Sequence, residues 1–252
     1  MADVRLKVMS YNVGGHGARW SRTYLDRVAR AIAEAEPDIV GVQELHRATR
    51  HSRLEDQAEA LARLTGMKVH FGKSFDFTAG GEFGNAVLTT GEVRSGEVVP
   101  LPGTGEQRTV LHSRVSVSDA ELDFYVTHLA AWGRWGRAAR SVQISGLLKR
   151  LKEGSEPFVL VGDLNAPPGA PEVRTLLAAE VFRMCGEDMA CTHRYMRQRI
   201  DYVFADPGWT TTGYQVVRVG PSDHWPVLVE LHRSGPAGGS SDERTPEKAR
   251  GS

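Results

Sequence analysis

The sequence predicts an α/β fold in which two mixed sheets pack face to face with helices on the outside. Segments with helical spacing alternate with short β-branched runs in both halves of the chain. Several of those runs follow one another with only Gly-rich turns between them. No unit of about 20–50 residues repeats, which sets aside solenoids and propellers. A sheet covered by helices on one face and by a second sheet on the other accommodates all three observations.

The elements follow in order. Arg5 to Tyr11 reads as a strand and "NVGGHG" as loop. Leu25, Val28, Ala29, Ile32 and Ala33 fall on one helical face from Tyr24, ended by Pro37. "DIVGVQEL" is a strand, and Leu54, Ala58, Leu61 and Leu64 mark a second helix closed by Gly66. "KVHFG", "NAVLTT" and "VRSGEVVPL" read as strands, and "RTVLHSRVSV" and "LDFYVTHL" as a hairpin across "SDAE". A third helix runs from Arg137 to Leu151, burying Ile144, Leu147, Leu148 and Leu151. After the strand "VLVGDLN" come a short helix through Leu176 and Leu177 and the strands "RIDYVFA", "YQVVRV" and "HWPVLVELH". From Ser234 the chain is Gly, Ser, Pro and charge, too poor in apolar residues to pack. This predicts one catalytic-size domain over 1–233 and a disordered tail over 234–252.

Composition bounds the function. With 252 residues, 40% hydrophobic and 25% charged, the chain suits one large soluble domain. Lys plus Arg and Asp plus Glu are both 31, which speaks against a general basic coat for nucleic acid but leaves room for a local basic rim. No run reaches membrane-spanning length and Met1 to Lys7 lacks a signal-peptide pattern, so the expectation is a cytoplasmic protein, and a monomer. The two cysteines in "MCGEDMAC", Cys185 and Cys191, are expected as free thiols or one optional loop disulfide, with no catalytic part.

The chemistry lies in how the strands terminate. "LKVMSYN" ends on Asn12, "DIVGVQE" on Glu44, "LDFYVTH" on His128 and "VLVGDLN" on Asp163 and Asn165, while "RID" opens at Asp201 and "SDHW" at Asp223 and His224. One Asn or Asp in such a place is usually an Asx turn, and Asp201 alone could pair with Arg199. Six strands with this choice of residue types are hard to explain by turns. Oxygen donors without thiolates suit Mg²⁺ or Mn²⁺, and two histidines, one backed by an aspartate, suit charge on a phosphoryl group. Together they point to metal-assisted phosphoester hydrolysis.

In this order the segments "SYNVGG", "VQEL", "FGNAVLT", "QRTVL", "VTHL", "VGDLNAPP", "RIDYVFA" and "SDHWPV", over about residues 5 to 232, resemble the endonuclease/exonuclease/phosphatase superfamily. The resemblance implies a four-layer α/β sandwich with its site at one rim of the two sheets. It implies Glu44 as principal Mg²⁺ (or Mn²⁺) ligand, helped by Asn12 and Asp223. Asp163 would orient and deprotonate the attacking water, and Asn165 would hold water or a phosphate oxygen. His224, fixed by Asp201, would contact the scissile phosphate, and His128 would stabilise developing charge or protonate the leaving oxygen. Gly14 and His128 stand where abasic-site endonucleases of the superfamily carry an acid and a tyrosine, which disfavours that specialised cleavage.

Substrate recognition is expected in the loops around the rim. "LAAWGRWGRAAR" interleaves Trp132 and Trp135 with Arg134, Arg137 and Arg140, a pattern suited to phosphates and bases and equally to a helix start with inward tryptophans. The resemblance implies a substrate-side role for Arg108, at a position where many members carry Arg, and Asn85 is expected to buttress the site from a neighbouring strand. Of the remaining histidines only His46 and His193 are expected near the rim. The leading function is a Mg²⁺- or Mn²⁺-dependent phosphodiester hydrolase acting on DNA or RNA. The alternatives are a lipid or small-molecule phosphoesterase and a non-catalytic phosphate-binding module, the last a poor fit to an intact residue set.

Overall fold

The computed structural model describes residues 3–14, 21–131, 133, 136–186 and 190–235. Its first half runs β1 (Val4–Asn12), α1 (Arg22–Ala35), β2 (Ile39–Arg47), α2 (Gln57–Thr65), β3 (Lys68–Asp76), β4 (Glu82–Thr89) and β5 (Glu92–Pro100). The second half runs β6 (Thr109–Val117), β7 (Ala120–His128), α3 (Gly136–Glu153), β8 (Phe158–Asp163), α4 (Pro171–Leu177), β9 (Arg183–Met184), β10 (Asp201–Ala205), β11 (Thr210–Val216) and β12 (Val227–Arg233). They form two six-stranded sheets, ordered β11-β12-β1-β2-β4-β3 and β5-β6-β7-β8-β10-β9. In each, a parallel pair (β1 with β2, β7 with β8) lies among antiparallel neighbours, so both sheets are mixed as expected.

Three apolar layers separate four structural ones. Strand residues alternate faces, and the alternation decides which layer each enters. In β1, Leu6 and Val8 enter the layer between the sheets, while Met9 and Tyr11 face α1. In β8, Val159 and Val161 enter the same middle layer, while Leu160 packs with Ile144 and Leu147 of α3. Local chemistry fixes the element ends. Ser21 Oγ accepts from Tyr24 N at 3.1 Å to cap α1, Asp56 caps α2, and Gly66 closes α2 in the left-handed region at φ 70°. Ser118 and Asp119, both at positive φ, turn the β6-β7 hairpin.

Some boundaries differ from expectation. Helix α2 starts only after the Asp56 cap, so Leu54 sits in the preceding turn and is 70% exposed instead of lining the helix face; Leu64 is also exposed, and Leu148 of α3 is half-buried. Strand β2 does not stop at Glu44 but continues to Arg47. Strand β12 starts at Val227, past Pro226, which has no N–H for the ladder, and this leaves Asp223 and His224 in the loop before it. The two-residue β9 carries no pattern long enough to read. Both cysteines are free, Cys185 buried and Cys191 donating its Sγ hydrogen to Arg197 O. The tail expected from 234 lies, from 236 onward, outside the described residues. Among those described, no helix is long and apolar enough to cross a membrane.

Gly41 in β2 sets how closely the sheets approach: a Cβ there would lie 2.1 Å from Val161 Cγ2 and 3.0 Å from Val126 Cγ2 of the opposite sheet. Gly41→Ala is expected to lower stability by about 1–3 kcal/mol through overpacking. Urea unfolding should show an earlier midpoint at an unchanged slope; a midpoint equal to the parent's would refute the tight approach.

Candidate active site

The middle layer changes character at one rim. Following the alternation along β1, β7, β8 and β10, the residues that take the inward face at this end are Asn12, His128, Asp163 and Asp201, where valines stand further down each strand. Glu44 breaks the alternation. Val40 and Val42 face the helices, so regular pleating would turn Glu44 with them. A bulge intervenes: Gln43 and Glu44 together stand opposite Asn85, Glu44 adopts φ 65°, and Leu45 takes the helix-facing place. Glu44 is thereby aimed at the rim, at a backbone cost of about 1–3 kcal/mol.

The side chains interlock. Asn12 Nδ2 donates to Glu44 Oε1 at 3.1 Å and to Asp163 Oδ2 at 3.0 Å, while its Oδ1 accepts from Gly14 N at 2.9 Å. Asp163 Oδ1 accepts from Asn165 N at 2.7 Å. Asn12 and Asp163 therefore each make an Asx-type turn and also serve the site, so the two readings of these residues coexist. Asn165 sits at φ 50°; its Nδ2 donates to Leu129 O at 3.1 Å and lies 3.0 Å from His128 Nε2. His224 Nδ1 lies 2.9 and 3.1 Å from the two Asp201 oxygens, and its Nε2 lies 3.8 Å from Asp163 Oδ2. Thr192 Oγ1 accepts from Ile200 N and Asp201 N, and Ser222 Oγ bonds both Asn12 O and His224 N. The Ser222 hydrogen bonds tie the loop before β12 to the end of β1.

Burial and charge act on these groups in opposite directions. Burial, and then the charge of Asp201 opposite it in the ladder, pushes the Asp163 carboxyl up to about 7, against the pull of His224 and two hydrogen bonds. Burial alone would lower His224, but the charge and hydrogen bond of Asp201, with Asp163 and Glu44 behind, push it up to about 10. The ring is thus an imidazolium at neutral pH, with Nδ1–H on Asp201 and Nε2–H toward the cleft.

The cleft above holds about 620 Å³ and is lined by Glu44, Arg108, His128, Asp163, Asn165, Asp223 and His224 together with Gly14, Glu106, His193 and Met196. Asn12 and Asp201 lie beneath it. Gly14, at φ 60°, has no room for a side chain, since a Cβ would stand 2.9 Å from Asp223 Oδ1. Arg108 is buried; its Nη2 donates to Glu106 at 2.7 Å, and among the described residues its buried Nε and Nη1 have no hydrogen-bond partner. Asn85 is buried opposite the Glu44 bulge and does not line the cleft. Trp132, Arg134 and Trp135 lie outside the described residues, while Arg140 is buried on Glu172 and on the carbonyls of Ala130 and Ala131, a structural position. His193 lines the cleft, its ring centroid 4.7 Å from that of His224. His46 packs instead in an aromatic cluster with Phe77 and Phe83. Sequence reasoning missed Glu106, Ser222 and Thr192. Ser222 at least precedes "DH" in a quoted motif; Thr192 gives no signal of its own.

Asp163, Asp201 and His224 bring potential ligand atoms within 4.8 Å of one another. His224 Nδ1 already donates to Asp201, so a shared proton holds that pair, with Asp163 facing the other ring nitrogen at 3.8 Å. The carboxylates of Glu44 and Asp223 on the cleft wall are the donors that suit a hard cation.

With the geometry in view, comparison with known proteins is decisive. The sequence pattern of the Endonuclease/Exonuclease/phosphatase family matches residues 9–224. The chain belongs to this family. Comparison with curated proteins gives no match. Among solved structures, an endonuclease/exonuclease/phosphatase from Beutenbergia cavernae is 23% identical with a TM-score of 0.76, over 92% of this chain and 72% of that one. The mannosyl-6-phosphatase Bt3783 of Bacteroides thetaiotaomicron is 21% identical with a TM-score of 0.74, over 90% and 99%. The human Nocturnin catalytic domain, with a bound sulfate anion, is 18% identical with a TM-score of 0.70, over 90% and 94%. At these identities the neighbours show the fold, an α/β sandwich of two mixed sheets. Family membership makes the chain a phosphoesterase of a generally divalent-metal-dependent kind.

The dyad gives a pH prediction. A raised histidine pKa stabilises the folded state fully below the ordinary value of 6.5, and that contribution is lost as pH rises through about 10. Asp201→Asn removes the charge that raises it, so the His224 resonance in ¹⁵N-histidine NMR of the metal-free protein should titrate well below the parent's. An unchanged titration would show that Asp201 does not set the charge of His224.

Proposed function

We propose that the chain is a Mg²⁺- or Mn²⁺-dependent phosphodiester hydrolase acting on DNA or RNA. The observation that carries this is the convergence of Asn12, Glu44, His128, Asp163, Asn165 and the Asp201–His224 pair on one cleft. The donor set fits a cation: four carboxylates, Glu44, Asp163, Asp201 and Asp223, face one imidazolium, and these donors are oxygens, not thiolates. Glu44 and Asp223 would hold it, and Asn12, through its amide nitrogen, holds Glu44 and Asp163 at fixed spacing. When bound, the cation supplies Lewis-acid polarisation of a phosphoryl oxygen.

The chain's own residues do the rest. Asp163, its Oδ1 fixed by Asn165 N, directs Oδ2 at the attacking water and accepts its proton, a task to which a pKa near neutrality is suited. His224 donates its Nε2–H to the phosphoryl group as charge develops, and Asp201 keeps ring and tautomer in place. Asn165, anchored on Leu129 O, presents N–H to His128 Nε2, so that nitrogen accepts a hydrogen bond in this arrangement and His224 is the better-placed proton donor. Arg108, which lines the cleft wall, sets its guanidinium charge against a phosphate oxygen. A second reading, a small-molecule phosphoesterase, is favoured by Glu106, whose carboxylate at the mouth discourages a second phosphate there.

Supercoiled plasmid nicked in the presence of Mg²⁺ or Mn²⁺, and left intact with EDTA or in the Glu44→Ala variant, is the expected result. Loss of turnover in that variant should reach about 10³-fold or more. Glu44→Ala activity equal to the parent's would refute the site, and phosphate release from small esters without nicking would replace the nuclease reading by the second. At a hundred times its dissociation constant Mn²⁺ should also stabilise the parent by about 2.7 kcal/mol, raising its melting temperature, and leave Glu44→Ala unmoved.

A further inference from the structure

One surface beside the cleft has no part in this scheme. The loop after Thr192 folds back on itself, with Thr192 N and His193 N both donating to Gln198 O at 3.0 Å, and its tip exposes Arg194, Tyr195, Met196 and Arg197. It is fastened to the site by Arg194 N to Asp223 O at 2.8 Å, Trp225 N to Thr192 O at 2.7 Å and Arg194 Nη1 to Ser222 O at 3.3 Å. His193 and Met196 continue the cleft wall outward onto it. Trp225 is half-buried, and two guanidinium groups meet its ring, Arg194 with its Cζ 5.9 Å from the centroid and Arg218 at 5.3 Å. A single indole thus positions two cations that come from separate segments. Tyr195 beside them is 70% exposed, a large ring left to solvent.

We infer that this ledge is a second subsite for single-stranded nucleic acid: Arg194 and Arg218 hold a phosphate neighbouring the scissile one, and a base stacks on Tyr195. The inference rests on the phosphodiesterase reading for the position of the scissile phosphate. Three features support it. Charge is complementary, since Arg194, Arg197 and Arg218 make the ledge cationic, whereas where Arg108 and Glu106 pair at the mouth their charges offset each other, so a polyanion leaves the cleft on the ledge side. The guanidiniums are held in place before binding, which reduces the ordering cost. An exposed ring on the same loop as Arg194 is what an unstacked base requires.

The test is binding of a fluorescein-labelled oligothymidylate to the full chain in EDTA, followed by anisotropy over a salt series. Arg194→Ala/Arg218→Ala should weaken binding about tenfold or more, and the slope of log K against log salt should become shallower by about 1.4, roughly 0.7 for each cationic side chain removed from a single strand's phosphates. Tyr195→Ala should weaken binding about tenfold with the slope unchanged. Arg194→Lys/Arg218→Lys should keep the slope, which shows that the alanine pair did not merely unfold the loop. Arg5→Ala/Arg30→Ala removes the same charge from exposed positions elsewhere and should bind as the parent does. The subsite is overturned if the alanine pair matches the parent in affinity and slope, or if the control pair loses as much. It is also overturned if the arginines matter only for vesicles of phosphatidylserine in phosphatidylcholine, which would make the ledge a membrane contact. Because EDTA removes any need for turnover, failure of the ledge is scored apart from failure of metal-dependent cleavage.

Discussion

Carboxylates that repel one another and have lost their hydration are held close together at the rim by strand register, and everything in the site depends on that constraint. Asp163 and Asp201 are direct partners across β8 and β10, each 1% exposed, and His128 pairs with Asp163 on the other side. Isolated buried carboxylates of this kind are strongly unfavourable, and neither side chain can retreat to solvent without breaking a central ladder. The tight inter-sheet contact at Gly41 and the valine layer beneath supply the rigidity. The strain is visible in the displaced proton affinities of Asp163 and His224.

Hydrogen bonds convert that strain into order. Asn12 touches two carboxylates and one backbone N–H, Ser222 joins Asn12 to His224, and Thr192 secures the start of β10. Asn12 and Ser222 link segments distant in sequence, Asn12 to Asp163 across 151 positions and Ser222 to Asn12 across 210. A site assembled from six segments is therefore as precise as the packing of the two sheets, because its side chains project from strand ends and the turns immediately beyond them.

Much of this was legible in the sequence because strand alternation is a local property. Apolar runs ending on Asn12, His128 and Asp163 place those residues on the middle-layer face by counting alone. Glu44 shows where counting stops: the alternation of Val40 and Val42 would have turned it under the helices, and the bulge that redirects it depends on pairing with β4, a tertiary event. Thr192 and Glu106 act through backbone amides and a neighbouring guanidinium, interactions that no spacing encodes. Asp223 and His224 were legible as residues but not as loop, since the exclusion of Pro226 from the ladder shifts the start of β12. Leu54 failed for the opposite reason, because apolar spacing extended the α2 pattern past a cap that Asp56 had already closed.

The zero net charge of the chain then becomes informative. A protein with no overall field cannot draw a polyanion from a distance, so discrimination must come from fields confined to the cleft and its edges. At the centre that field is negative, with Glu44, Asp201, Asp223 and a partly protonated Asp163 against one imidazolium and the Arg108 guanidinium, itself partly neutralised by Glu106. A phosphate meets repulsion there until a cation offsets it. On the phosphodiesterase reading, cation and substrate must therefore bind with positive coupling, each raising the affinity of the other by the same factor. The crowded carboxylates serve specificity as well as chemistry, since a cleft that disfavours phosphate in its bare state holds it more tightly once it is equipped to act on it, while the ledge lies outside that field.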